Sequence, residues 1–401
     1  MLNPFLLMAV FYLIVAAVMA ADAALTSFAL LPWFTGLPWL RVHFITLGVF
    51  TEAIFGVLPA FVAARRGAAP PATRWDIWLM LNAGLVVLIA GIPSISAGLI
   101  ITGGTLVFIA VILLVLQVRG LGAAVGAGSG SLKFYAAGLV YLLVGILVGT
   151  GLWVGWNEPL RLGVPKEVHI HANSWGFASL VFAGLLIDLA PALTGAALAS
   201  RRTLTLIFWA MTLGALGLVL GPWLGGNLLA TVPGLVLHIA ATVGLLAVLV
   251  QALRRHGLFR SAGAWHLVLA YTWILLPVLV APLILLGVAG IPGADIEATA
   301  PQALIYGWML QFLFAVVPYF TARWLLHDGQ ARLGGNWLCL AAVNLGSALV
   351  WASIFMVDLR SPLHAVAYVL LGISLLAAAW ETGAIALAAL RRAEAGSPAP
   401  A

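Results

Sequence analysis

Eight histidines, at positions 43, 169, 171, 238, 256, 266, 327 and 364, are the side chains of this sequence best suited to chemistry. A neutral imidazole is the commonest nitrogen ligand for transition metals and for heme iron. Five of them, His43, His169, His171, His238 and His364, fall at or inside the outer part of long apolar segments, in the orientation derived below. Ionisable groups in such segments are costly and ordinarily face a bundle interior or a cavity. His256, His266 and His327 read instead as polar residues at the cytoplasmic interface. His169 and His171 form an H-x-H pair whose members lie about 200° apart on a helix. Either one ring faces the bundle and the other the interface, or an unwound first turn lets both close on copper. His238 and His364 have apolar neighbours, and each reads as an interhelical hydrogen bonder or as a ligand. Asp22, Glu52, Asp188 and Glu381 also sit in apolar runs, with Asp188 read as a structural hydrogen bonder or a step on a proton path.

The elements that position these groups follow from composition. Of 401 residues, 64% are hydrophobic and 7% charged, against roughly a quarter charged in soluble domains. The mean hydropathy is +1.15. Apolar runs repeatedly exceed the roughly 20 residues that cross a bilayer as a helix. Twelve segments emerge, near 4–30, 38–64, 74–95, 97–118, 132–155, 167–193, 203–223, 228–253, 263–290, 300–326, 335–357 and 361–391. The breaks carry Arg65-Arg66 with Pro70-Pro71, a Gly/Ser stretch from Gly120 to Ser131, Arg201-Arg202 and Arg254-Arg255. Of 18 basic residues, only Arg41, Arg161, Lys166 and Arg360 fall on the side where even-numbered segments begin. The excess of positive charge marks the other side as cytoplasmic and puts both termini there. Singly spaced basic residues between apolar runs are topology signals, so no nucleic-acid partner is expected. One cysteine, Cys339, excludes an internal disulfide and a thiolate cluster.

A repeat sharpens the picture. Segment 2 reads His43-Phe-Ile-Thr-Leu-Gly48 with Gly56 and Pro59 beyond it, and segment 6 reads His171-Ala-Asn-Ser-Trp-Gly176 with Gly184 and Pro191. Segment 10 reads Gln302-Ala-Leu-Ile-Tyr-Gly307 with Ala315 and Pro318. The starts are 128 and 131 residues apart. The expected fold is therefore an all-α membrane protein of about twelve transmembrane helices in three pseudo-repeats of four, near 1–125, 126–258 and 259–392. Residues 1–392 form one transmembrane domain in this reading, and 393–401 a disordered tail.

This pattern resembles subunit I of the heme-copper oxidases and nitric oxide reductases. The phrases Arg41-Val-His-Phe-Ile-Thr-Leu-Gly48 and His169-Ile-His-Ala-Asn-Ser-Trp-Gly-Phe177, with the stretch from Trp265 to Phe320, look like short oxidase-subunit-I-like proteins and the NnrS-type heme and copper proteins. The resemblance covers most of the chain in architecture, through short motifs. It implies heme, with copper as a second cofactor, and a multi-pass protein of the bacterial inner membrane. His43 matches the helix 2 heme ligand and His171 the helix 6 copper ligand. By fold analogy His364 is the axial partner of His43, and His238 lies near His171 or Gln302. Segment 10 carries Gln302 where a second heme histidine is expected, segment 7 lacks a histidine pair, and Trp175 replaces a tyrosine. A complete oxygen-reducing centre is therefore not expected. What remains is an oxidoreductase-like role in electron transfer or in nitric oxide and metal stress handling, with a redox partner or an oligomer around it. The competing readings are a transporter or heme and metal delivery protein, and a non-catalytic subunit of a respiratory complex. No phosphate-cradling loop offers a soluble nucleotide chemistry.

Overall fold

The structure is a computed structural model that describes residues 3–27, 37–64, 68–69, 71–123, 130–326 and 328–394. The expected Arg65-Arg66 break, Pro70, most of the Gly/Ser stretch, His327 and the tail from 395 lie outside the described residues. The described chain is helical throughout: α1 (Pro4–Ser27), α2 (Trp39–Ala64), α3 (Trp75–Gly91), α4 (Ala97–Ala123), α5 (Leu132–Val154), α6 (Pro165–Thr194), α7 (Arg201–Trp223), α8 (Leu228–Arg255), α9 (Ala262–Leu285), α10 (Gly293–Leu325), α11 (Trp337–Phe355) and α12 (Arg360–Glu394). Eleven of these are long and apolar enough to cross a membrane. The third expected segment, 74–95, contracts to the 17 residues of α3, at the lower edge of a spanning length. Its end is set by Ser94, whose hydroxyl donates to the Ala90 and Gly91 carbonyls, and by Ile95, which has a φ of +50°. Beyond Arg392 the chain stays helical to Glu394.

Capping residues explain several starts. Ser200, Asn227, Ser261 and Asn336 each accept a main-chain N–H from the first turn of the helix that follows. Pro165 opens α6 where its missing N–H is harmless.

The helices divide into two compact units, one of residues 1–57 with 257–401 and one of residues 58–256. In the first, α1 lies against α12, and the Ser361 hydroxyl donates to the Ser27 carbonyl. Trp273 of α9 donates to Asn344 Oδ1 of α11 at 2.8 Å. In the second, small residues set close approaches: Gly84 faces Gly103 between α3 and α4, and Gly217 faces Gly234 between α7 and α8. Tyr135 of α5 donates to buried Asp188 of α6 at 2.7 Å, and Tyr141 donates to the Thr212 carbonyl of α7. The hydrogen-bonded role weighed for Asp188 is thus present.

The most enclosed helices are α2, α6 and α10, with 83%, 83% and 100% of their most apolar window buried against 33–50% for the other spans. Each contains a π-helical stretch, at Phe44–Thr51, Ala172–Ala178 and Ile305–Leu310. Each stretch holds a glycine under an aromatic ring from a neighbouring helix: Gly48 under Tyr12, Gly176 under Tyr141 and Gly307 under Trp273. An added Cβ would lie 2.6 Å from Tyr12 Cγ at position 48 and 2.5 Å from Trp273 Cγ at position 307, well inside contact distance. Gly48→Ala and Gly307→Ala should each destabilise the solubilised protein by about 1–3 kcal/mol, the usual range for overpacking. Gly383→Ala, where nothing lies within 4 Å, should be neutral or stabilising by about 0.5–1 kcal/mol. Thermal unfolding in detergent would check all three.

Candidate functional site

In a bilayer interior a main-chain carbonyl released from its helix must find another donor. Four of the five histidines expected near the outer ends of helices donate to a main-chain carbonyl. Pro222, inside α7, has no N–H to give the carbonyl of Leu218 one turn earlier. His171 takes that carbonyl through Nδ1 at 2.6 Å. In the π-stretch of α6, the Ser179 N–H bonds to the carbonyls of Ser174 and Gly176 and passes over that of Trp175. His238 Nε2 donates to the Trp175 carbonyl at 3.3 Å. His43 Nδ1 donates to the Trp39 carbonyl at 2.8 Å, with its ring stacked on Trp39. His169 Nδ1 donates to the Gly145 carbonyl of α5 at 2.8 Å, and only a glycine at 149 leaves room for the ring.

Because a carbonyl can only accept, each bond fixes a tautomer. His43, His169 and His171 carry the proton on Nδ1, which leaves the Nε2 lone pair as the ligating atom. Metal-bound histidines are commonly held in this way by a carbonyl behind the ring. His238 is different: with Nε2 donating, its Nδ1 accepts from the Thr242 hydroxyl at 3.3 Å. Both its nitrogens are engaged by protein, and the ring is fully buried. It is a tether between α6 and α8 that flanks Trp175 at 5.4 Å. His364 Nε2 meets the Ser353 hydroxyl at 2.7 Å.

Within the second unit, the rings of His171 and His238 both lie near Trp175, at 6.4 and 5.4 Å between centroids. His169 and His171 do not come together: α6 is helical from Pro165, so the two rings diverge to α5 and α7. Joint closure of that pair on copper is replaced by another arrangement, in which Glu167 Oε2 stands 3.7 Å from His171 Nε2. The sequence reading passed over Glu167, although its i, i+4 spacing to His171 is the signal that places both on one face.

Within the first unit, the starts of α2 and α12 meet. The Arg41 guanidinium lies 4.7 Å above the Tyr368 ring, and Tyr368 is one turn beyond His364, with ring centroids 6.0 Å apart. His364 is within electrostatic reach of Arg41 and Arg360, and Arg360 pairs with Asp295 at 2.9 Å. Fully buried Tyr306 completes the cluster beside Tyr368.

His266 corrects the reading of an interfacial histidine. It is 0% exposed, with its ring against Phe314 and against Gly335, whose φ of +82° and lack of a side chain make that contact possible. The segment that covers it is fastened by the Gly334 N–H to the Ala315 carbonyl and by the Gly335 N–H to the Glu381 carboxylate at 3.0 Å. Among the described residues, no group of three or more His, Cys, Asp or Glu side chains converges as a metal cage.

No protein-family model matches this chain, and no curated protein matches it either.

Replacing His238 by Leu should cost about 1–3 kcal/mol, because it removes the bonds of a buried imidazole to the Trp175 carbonyl and the Thr242 hydroxyl. Thr242→Val should cost less, about 0.5–1.5 kcal/mol, since a single neutral hydrogen bond is lost. Chemical or thermal unfolding of the two variants would order them.

Proposed function

We propose that this is a heme-binding integral membrane protein of the bacterial inner membrane, built like heme-copper oxidase subunit I but without a complete oxygen-reducing centre. Its role in this reading is electron transfer, or the handling of nitric oxide and metal stress. The observation that carries it is His43: its Nδ1–H is held by the Trp39 carbonyl, and its helix meets the helix of His364 through Arg41 and Tyr368. The residues fit a bis-histidine heme in part. His43 has the ligating tautomer, whereas His364 must first release Ser353 Oγ. When bound, heme supplies one-electron chemistry between ferric and ferrous iron. The chain's own contribution is to fix the His43 ring between Trp39 and its carbonyl and to place the Arg41 cation nearby for an acidic group of the cofactor. Buried Tyr306 and Tyr368 keep water from that side.

The same proposal includes the pseudo-threefold plan. The π-stretch, the glycine under an aromatic ring and the enclosure shared by α2, α6 and α10 support it. Cytoplasmic termini and an outward-facing histidine end follow from the charge asymmetry. A second reading, transport or delivery of heme or metal, draws on Pro277 and Pro282 within α9 and Pro318 within α10, since interrupted helices often flank substrate paths.

Protein purified after heme-replete expression should show a Soret band with low-spin features on dithionite reduction. His43→Ala and His364→Ala should each remove that band, while Ser353→Ala should keep it. A spectrum without a Soret band overturns the heme reading, and flux of substrate through vesicles without stoichiometric heme would favour the second. Green fluorescent protein fused after Ala401 should fluoresce and alkaline phosphatase fused there should be inactive; the reverse pattern would overturn the orientation.

A further inference from the structure

We propose that Lys133 of α5 and Arg201 of α7, in the second unit, bind the phosphate of an anionic phospholipid such as phosphatidylglycerol or cardiolipin. The site rests on the membrane-spanning fold and not on heme, so a failed heme spectrum leaves it standing.

Two like charges meet here without a counter-ion. A lysine at the end of a membrane helix ordinarily stretches its ammonium toward water. Lys133 instead reaches sideways onto α7, where it donates to the Thr205 hydroxyl at 3.1 Å and lies 4.7 Å from the Phe208 ring centroid. Thr205 stands one helical turn beyond Arg201. Among the described residues, Arg201 is the charged group that acts on Lys133, and two cations so placed repel. The sequence offers no relief nearby, since it holds no Asp or Glu from 77 to 157 or from 189 to 294. Asp188 of α6 is buried and takes the Tyr135 hydroxyl, and Asp76 is paired with Arg74. An ammonium carries three donors, and Thr205 takes one of them. The partner that balances this pair is an anion from outside the chain.

The surroundings select the class of anion. The start of α7, capped by Ser200, adds the positive end of a 23-residue helix. Deeper along the same two helices the flanks are apolar and uncovered. Val140, two turns beyond Lys133 on its face of α5, is 58% exposed, and Leu206 and Trp209 of α7 are 63% and 54% exposed. In a bilayer these surfaces lie against acyl chains, so a phosphate at the cations belongs to a lipid. Basic sites between membrane helices commonly take acidic headgroups in this way. A zwitterionic headgroup would bring its own cation to a place where the chain supplies no carboxylate, so net negative headgroups are preferred. Lys133 and Arg201 are the binding residues; Thr205 and Phe208 position the Lys133 ammonium.

The test uses the full-length protein, delipidated in a neutral detergent and titrated with dioleoylphosphatidylglycerol or dioleoylphosphatidylcholine, with bound lipid counted by native mass spectrometry. Phosphatidylglycerol should be retained at concentrations where phosphatidylcholine is not. Lys133→Gln and Arg201→Gln should each weaken its binding about fivefold, the contribution of one basic residue at an anionic lipid surface. Arg74→Gln removes the same charge from a cation already paired with Asp76 and should leave binding unchanged. Lys133→Arg, which keeps the charge, should retain the lipid. Should Lys133→Gln fail to fold, Arg201→Gln, at an exposed position, carries the test. Equal retention of phosphatidylcholine, or a loss with Arg74→Gln as large as with Arg201→Gln, overturns the proposal in favour of diffuse surface charge. In a separate thermal-unfolding arm, stabilisation by sodium phosphate alone equal to that by phosphatidylglycerol also overturns it and assigns the cations to a free anion.

Discussion

The placement of His171 depends on one constraint: a carbonyl released from helical bonding in an apolar interior must be given another donor. Unpaired groups there cost several kcal/mol, so the sequence cannot introduce a proline or a widened turn without supplying a partner nearby. At two places, one in α7 and one in α6, the donor is an imidazole. Pro222 frees Leu218 and His171 arrives; the π-stretch of α6 bypasses Trp175 and His238 arrives. The same bonds that repair the backbone decide which nitrogen of each ring keeps its lone pair. The bond that holds the backbone thus also sets the tautomer of the imidazole.

Sorting the histidines by tautomer changes their weight. Residues alike in type and apolar surroundings separate into those that present Nε2 outward, such as His43 and His171, and one that is wholly spent, His238. Depth alone does not make the distinction, since a fully buried imidazole with two protein partners is a strut. What marks a candidate ligand is a carbonyl behind the ring and an acceptor, or another helix end, in front of it.

The spans were legible in the sequence because hydropathy and charge act over 20 residues at a time, and small errors average out. The helix ends were less so: α3 stops at Gly91 because Ser94 and Ile95 turn the chain, a local event inside an apolar run. The burial of His266 was illegible because it is produced by a distant segment, Gly334-Gly335, folding over the end of α9. The H-x-H pair drew attention for its composition, whereas the informative spacing was Glu167 to His171, one turn on a helix whose start was set two residues too late. The π-stretches left only an indirect trace, the repeated histidine or glutamine five residues before a glycine.

That trace has a consequence for how such a chain can change. A π-stretch amounts to one residue more than the α-helical path needs, and each residue turns a helix by about 100°. His43 and His171 are each the last residue before such a stretch. The compass bearing of each ring, relative to everything deeper in its helix, is therefore stored in a residue count. Loss of a single amino acid between His171 and Ser179 would swing the imidazole about a quarter-turn while leaving every side chain's identity intact. An insertion or deletion within the stretch would redirect the ring without any substitution at the histidine itself.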